Sequence, residues 1–501
     1  MGFKKRLAAV GIIAIAAALT FGIAKSGRQI TDKQENIVFT NGKETLYLWY
    51  TDEALTSYLS SAAVAYSETH DVRIMPVLEG GPEYLENINR ASLESDAPDL
   101  YILGHDSLEK AYLAGLADEV MIEDAAPAEE LYMNTGLNAA IYEDKLIGYP
   151  FYFETSALLY NKTYLEQMAV HALEAEAVQA AEEAGELEPD ESQQAEDSGE
   201  GAEEAEEQFT QEQINTKVQE LIPSTIEEIK AFADSYDAPD QVEGVFKWDV
   251  TDIFYNYFFI GDAINMGGAA GWDTTQIDIY NRSAIKSLRV YQELNQFFSI
   301  DTSTSKYEAI LDEFIEGKLV FTMATSDAVS RLEQAMEDGT FPYEYGIAVA
   351  PDINDELKGQ SLSMTACVVI NGYSDHKKEA NEFARFLTSQ YVDILYDRTG
   401  KVSAALNVDY GHEGLKEFAI EYERSVSMPK MLETSNFWVL LEAAFSEIWN
   451  GADANQMLKS LSEQTMRQVT GEDYQEEYLE EEPEVPEEEY TEGEIEENSE
   501  G

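Results

Sequence analysis

The sequence predicts an α/β fold, a parallel sheet covered by helices, and three observations lead there. Apolar residues fall alternately into strand-like and helix-like spacing from residue 44 onward, the strand-like runs are rich in β-branched and aromatic residues, and each is followed by a helical stretch. "TLYLWY" (45–50) is the first strand. A helix is expected from about Ala54 to His70, with Leu55, Leu59, Ala62 and Tyr66 on one face. "VRIMPVL" reads as the second strand, and Pro82 stands where the next helix, "EYLENINRASL", should begin. "DLYIL" (99–103) has the unbroken apolar character of a buried parallel strand, and "DSLEKAYLAGL" follows as a helix. In open α/β sheets the ligand crevice lies beyond the carboxyl ends of the strands. That draws attention to the loops Tyr50-Thr51-Asp52-Glu53 and Gly104-His105-Asp106-Ser107.

Further along, "IPSTIEEIKAFADSY" predicts a helix capped by Ser224 or Thr225, with Glu227 or Glu228 completing a capping box. Helical patterns then run to about Thr470, interrupted by strands near "KLVFTMA", "YGIAVAP" and "MTACVVI". No internal repeat is found.

The chain has 501 residues and a formal net charge of -66, a surface that repels phosphate backbones and so excludes nucleic-acid binding. Two runs carry nearly half of the excess: 174–207 holds fifteen acids and 472–500 sixteen, neither with a Lys or Arg. Both are expected to be disordered, as an insert at about 170–212 and a tail over 471–501, because they offer too little apolar surface to offset the entropy of ordering. At the N-terminus, "MGFKKR" precedes the apolar run Leu7–Ala24, so residues 1–24 read as a signal peptide or signal anchor of an exported protein. Cys367 is the sole cysteine and lies in "ACVVI", a core position that allows neither an internal disulfide nor a cysteine-based metal site. A lipid anchor on a cysteine near the signal is excluded for the same reason.

One stretch carries most of the site argument. "YPFYFETSALLYNK" (149–162) surrounds Glu154 with Tyr149, Phe151, Tyr152, Phe153 and Tyr160. Rings at alternating positions are the usual mark of a strand buried on both faces. A carboxylate inside such a strand is costly to bury alone, so Glu154 should face a cleft or meet a partner, and Tyr152 shares its face. Asp106 follows a strand and a glycine at the sheet's carboxyl edge, where it can cap the next helix or hold a polar ligand. His105 reads as structural or solvent-facing. Trp438 begins a helix behind the capping run Thr434-Ser435-Asn436, with Leu441, Phe445 and Ile448 at helical spacing. It is either a core residue or a flat anchor of the kind that stacks on sugar rings.

Taken in order, four segments resemble extracellular solute-binding proteins of bacterial ABC importers, of the maltodextrin-binding type. They are "APDLYILGHDSLEKAYLAGLADEV", "DKLIGYPFYFETSALLYNK", "FIEGKLVFTMAT" and "SNFWVLLEAAFSEIWNG". The resemblance implies a two-lobed periplasmic-binding-protein type II fold, two three-layer α/β lobes joined by hinge strands. On it, residues 40–152 with 365–406 form the first lobe, and 153–364 with 407–470 the second. It makes Asp106 a sugar-hydroxyl acceptor, Glu154 a cleft acid at the hinge and Trp438 the stacking ring, with Asp52 near the first-lobe acid. Asp327 falls where that type carries another stacking Trp, Leu103 where it has a Trp and Ser107 where it has an Arg, which argues against maltodextrin itself. The expected ligand residues are therefore Asp52, Asp106, Tyr152, Glu154, Asp327 and Trp438, and Glu442 would add charge to the same cleft.

The implied function is capture of an extracellular solute, most simply a carbohydrate, and its delivery to membrane permease subunits by a monomer that needs no cofactor or metal. A cationic solute such as a polyamine or basic peptide is the rival within binding proteins, because the expected site is rich in acids. A surface glycoside hydrolase, or an interaction protein that has lost transport, is the rival from another class. No nucleophile–His–acid set or phosphate-cradling loop supports an enzyme.

Overall fold

A computed structural model describes residues 43–480 except 94–96, 122–125, 184–208, 299 and 435. The expected signal or anchor, Leu7–Ala24, lies outside the described residues. Among the described residues no helix is long and apolar enough to cross a membrane.

The strands are β1 (Glu44–Tyr50), β2 (Val72–Leu78), β3 (Leu100–Gly104), the small pair β4 (Ile141–Tyr142) and β5 (Lys145–Leu146), β6 (Tyr149–Asn161) and β7 (Gly244–Phe246). After them come the pair β8 (Asn265–Met266) and β9 (Ile277–Asp278), then β10 (Leu319–Thr325), β11 (Tyr345–Ala348), β12 (Leu362–Ile370), β13 (Val402–Ser403) and β14 (Val426–Ser427). The main sheet runs in the order β2-β1-β3-β12-β6-β10-β7, with β11 and β13 also on β6 and β14 on β12. β1 and β3 are parallel, as the alternation of strand and helix predicts, while β12 enters antiparallel between β3 and β6.

β6 organises the whole. Its 13 residues reach roughly 40 Å at a strand's rise, more than twice an average strand. The first half pairs with β12, ending at Thr155↔Ser363, and the second half pairs with β10, beginning at Ser156↔Thr325. Small hydroxyls seal the handover. Thr155 Oγ1 donates to the Leu362 carbonyl (3.0 Å), and Ser361 Oγ donates to the Ser156 carbonyl (2.9 Å). These hydroxyls give the buried carbonyls hydrogen bonds where the ladder changes strands.

β6 also feeds three of the four apolar cores. Phe151 packs with Leu48, Tyr58 and Val368; Phe153 with Met133, Phe418 and Tyr422; and Leu158 and Tyr160 with Trp248, Tyr257 and Phe321. Phe153 lies flat on Tyr422, ring centroids 3.9 Å apart and 2° from parallel. In the fourth core, Tyr101, Leu103 and Leu108 meet Cys367, which is fully buried as its sequence context implies. Burial pushes its thiol up to about 12, which leaves it protonated and inert.

Both acidic boundaries need correction. The helix Lys162–Glu183 runs on well past residue 170, and the next, Gln211–Leu221, begins at a capping box between Thr210 and Gln213. Lys217 Nζ ties the two through Glu176 at 2.6 Å. The Ala/Glu composition that reads as a solvated charge run is equally a strong helix former, and the apolar residues Leu165, Ala169, Ile214 and Val218 give the pair a core to dock on. At the other end, residues 471–480 are not a free tail but a strap. Leu479 packs against the second-half core, its N–H donates to Tyr280 Oη (3.0 Å) and its carbonyl accepts from Asn455 (2.9 Å). The Glu476 carbonyl takes Lys459 Nζ at 2.7 Å, and its carboxylate takes Ser462 Oγ at 2.6 Å. Specific hydrogen bonds to one helix outweigh the charge repulsion that composition alone registers. A chain ending at Gly471 should therefore melt about 2–5 °C below one ending at Glu480 in scanning fluorimetry, from the lost contacts of one leucine and several hydrogen bonds. Equal melting temperatures would show that the strap contributes nothing.

Candidate ligand site

The site begins with the alternation of β6. Of its residues, only Tyr152 and Glu154 are not fully buried; Phe151 and Phe153, on the opposite face, go into the cores. Positions two apart share a face, so Tyr152 and Glu154 look the same way. The neighbouring strands continue that face. Met364 stands opposite Glu154, and Ala366 opposite Tyr152 and beside Gly104. On the other side of β6, Thr325 stands opposite Ser156, the next position on the face after Glu154.

Asp106 joins from the end of β3. Gly104 is what lets it in: a Cβ there would lie 2.6 Å from Asp106 Oδ1 and 3.2 Å from Met364 Cε. The carboxylate thus rests over the glycine and beside the methionine that faces Glu154. Asp106 does not cap the following helix, whose N-cap is Ser107 without a side-chain bond. Its side chain is solvent-exposed, yet protein crowds closely around it. That desolvation raises its carboxyl above the ordinary aspartate range, against the pull of backbone N–H groups at Ser107 and Asp106.

Asp52 combines two roles. Its Oδ1 caps the turn Glu53–Leu55 by accepting from the Ala54 N–H (2.9 Å), and its Oδ2 lies 3.3 Å from Lys401 Nζ. The same Nζ donates to Glu154 Oε1 at 2.7 Å and sits 5.3 Å above the centre of the Tyr152 ring. Lys401 is the partner that the sequence could not name for Glu154. Desolvation works to lower its pKa, but Glu154, Tyr152 and Asp52 prevail and hold it above the usual lysine range, so it stays charged. Burial in turn pushes the Tyr152 phenol up to about 12.

Asp327, at the start of the helix Asp327–Glu337, accepts from Tyr307 Oη (3.0 Å) and from Thr325. Tyr307 stacks on Tyr255 at 4.8 Å, which extends an aromatic wall beside the acids. Trp438 is half-buried against Tyr257 (5.6 Å) and Phe437 in the second-half core. Asp52, Asp106, Tyr152 and Glu154 therefore lie along one face of the sheet, and Asp327 joins that face through Thr325, which pairs opposite Ser156. Trp438 packs in the second-half core, on the helix Phe437–Trp449. Sequence reasoning missed Lys401, Tyr307 and the space-making role of Gly104. Only Gly104 left a trace, as a glycine at a strand's carboxyl end.

His105 is structural, as expected of it. Fully buried, it accepts at Nδ1 from the Thr365 N–H (2.9 Å), so Nε2 carries the proton and donates to the Met428 carbonyl (2.7 Å). Two residues on, Lys430 is buried with Nζ on the carbonyls of Asn138, Ile141 and Ala270. His105 and Lys430 together fasten the segment 428–430 behind the Asp106 loop.

With this geometry in view, the family can be stated. A model of the bacterial extracellular solute-binding protein family matches residues 61–403. The chain belongs to that family. A galactooligosaccharide-binding protein of Bacillus subtilis (strain 168) is 21% identical over 156 residues, 31% of this chain and 36% of that protein, so the match spans little more than a third of the relative's length. An extracellular solute-binding protein from Staphylococcus aureus, solved with maltose, is 18% identical with a TM-score of 0.66 and covers 86% of this chain and 99% of its own. A maltose-binding periplasmic protein from Listeria monocytogenes, also solved with maltose, gives 17% and 0.64, over 87% of this chain and all of its own. At these identities the likeness is one of fold, and the fold of this solute-binding protein is their two-lobed α/β architecture.

Burial of His105, helped by nearby Lys430, lowers its pKa to about 3. In the unfolded chain it titrates near 6.5, so its neutral form supports the fold above that pH, and the support is lost as pH falls toward 3. Each unit below 6.5 should cost about 1.4 kcal/mol, or about 2 kcal/mol at pH 5. Urea unfolding of the parent and of His105→Gln at pH 7 and pH 5 should show a shallower pH dependence in the variant. Parallel pH dependences would remove His105 as the cause.

Proposed function

We propose that this protein captures an extracellular oligosaccharide between its lobes and hands it to the permease of an ABC importer. The lobes would divide on β6, the first taking 40–152 with 365–406 and the second 153–364 with 407–470, a few residues before the Thr155–Ser156 handover. Exported behind residues 1–24, the chain would work at the outer face of the membrane and bind its solute without chemical change.

One observation carries the reading. On a strand otherwise buried on both faces, Tyr152 and Glu154 are turned out, in line with Asp106 on one side and Asp327 on the other. A few convergent carboxylates beside aromatic rings suit a polyhydroxylated ligand: acids accept hydroxyl hydrogens, and rings cover the apolar faces of sugars. Support comes from the family, from the galactooligosaccharide-binding relative, and from neighbours solved with maltose and maltotetraose. Closure of two lobes about shared strands would then bring Trp438 against the solute and present a new surface to the permease.

Maltotriose and a galactotriose, each titrated calorimetrically into the purified protein, test this directly, and a bound sugar should also raise the melting temperature. Glu154→Gln should weaken the sugar that binds by tenfold to about a hundredfold, the worth of a charged hydrogen bond. Gly104→Ala is a sharper probe. The backbone at Gly104 has φ −63°, which alanine adopts freely, so its added methyl acts chiefly by displacing the Asp106 carboxylate and the Met364 tip. It should weaken binding at least tenfold while lowering the melting temperature little. Unchanged affinity in both variants would move the ligand elsewhere.

A further inference from the structure

Asp52 and Glu154, held from two separate segments around the face of Tyr152, are the parts of an alkylammonium-binding site: two carboxylates and an aromatic face. The chain places its own alkylammonium there. Lys401 closes the turn after Gly400, immediately before β13, which pairs with β6 at Phe153 and Tyr152. Its side chain is thereby carried to within 2.7 Å of Glu154 and 3.3 Å of Asp52, and it is only 22% exposed.

We propose that Lys401 is the specificity-determining residue of the site, an internal cation that bars polyamines and basic peptides and leaves a cleft selective for neutral polyhydroxyl solutes. The inference rests on the sugar-capture reading and narrows it. An arriving ammonium group would meet two carboxylates that already share one ammonium, which offsets one of their two charges, and a fixed positive charge within contact distance, a repulsion that the low dielectric of a cleft strengthens. A neutral hydroxyl meets no such barrier. It can donate to the carboxylate oxygens that Lys401 leaves over and accept from the ammonium, which has three donors. The other acids belong to other segments: Asp327 accepts from Tyr307 and Thr325, and Asp106 lies over Gly104 beside the Met364 tip.

Spermidine and maltotriose, each titrated calorimetrically into parent, Lys401→Met and Lys401→Arg at low and at moderate salt, test the assignment. The parent should give no spermidine binding at millimolar concentration. Lys401→Met should bind spermidine at least tenfold more tightly than the parent, with an affinity that falls as salt rises, and should lose about tenfold in affinity for the sugar. Lys401→Arg, which keeps the charge, should behave as the parent. If Lys401→Met does not fold, Lys401→Gln carries the same comparison. The same spermidine affinity in parent and neutral variant, or a gain in Lys401→Arg as well, overturns the proposal. A parent that binds no sugar while Lys401→Met gains spermidine would instead remove the sugar reading and leave Lys401's exclusion of cations standing.

Discussion

The constraint on which the rest depends is that one strand, β6, must satisfy two halves of the main sheet and three cores at once. Its backbone is committed along the full length, first to β12 and then to β10, and at the change of partner serine and threonine hydroxyls bond to backbone carbonyls. With backbone and most side chains so occupied, freedom is left only at Tyr152 and Glu154. A strand with two turned-out positions at the junction of two half-sheets is where a solute touching both lobes would be sensed, since any change in the angle between the halves passes through it.

Around that strand the electrostatics are arranged by segments distant in sequence. Asp52 comes from the first strand–helix turn, Glu154 from β6 and Lys401 from the turn before β13, and a single ammonium holds all three segments together. A partly exposed pair of this kind contributes little to stability. Its value lies in charge: the ammonium converts a cluster of acids into a set of hydrogen-bond acceptors with a cation already in place. Behind the site, His105 and Lys430 act in the opposite sense, as buried donors to backbone carbonyls that anchor the segment 428–430 beside the Asp106 loop. Rigid support and a displaceable polar face are what a reusable capture site needs.

Much of this was legible from residues alone. The strand–helix order, the capping box at Thr225 and Glu228, the core position of Cys367 and the outward turn of Glu154 all follow from local rules: periodicity, a side chain's reach to its own backbone, and the cost of burying a charge. Such rules act over a few residues, so one sequence suffices to apply them. Tertiary structure decided what lies farther off. It supplied Lys401 as the partner of Glu154 across 247 positions, turned an acidic tail into a strap by giving Leu479 a core and Glu476 two donors, and let Asp106 reach the cleft by leaving Gly104 bare. The sequence could say that Glu154 needed company but not whose, because pairing energy depends on distances between segments, and those are set only when the sheet assembles.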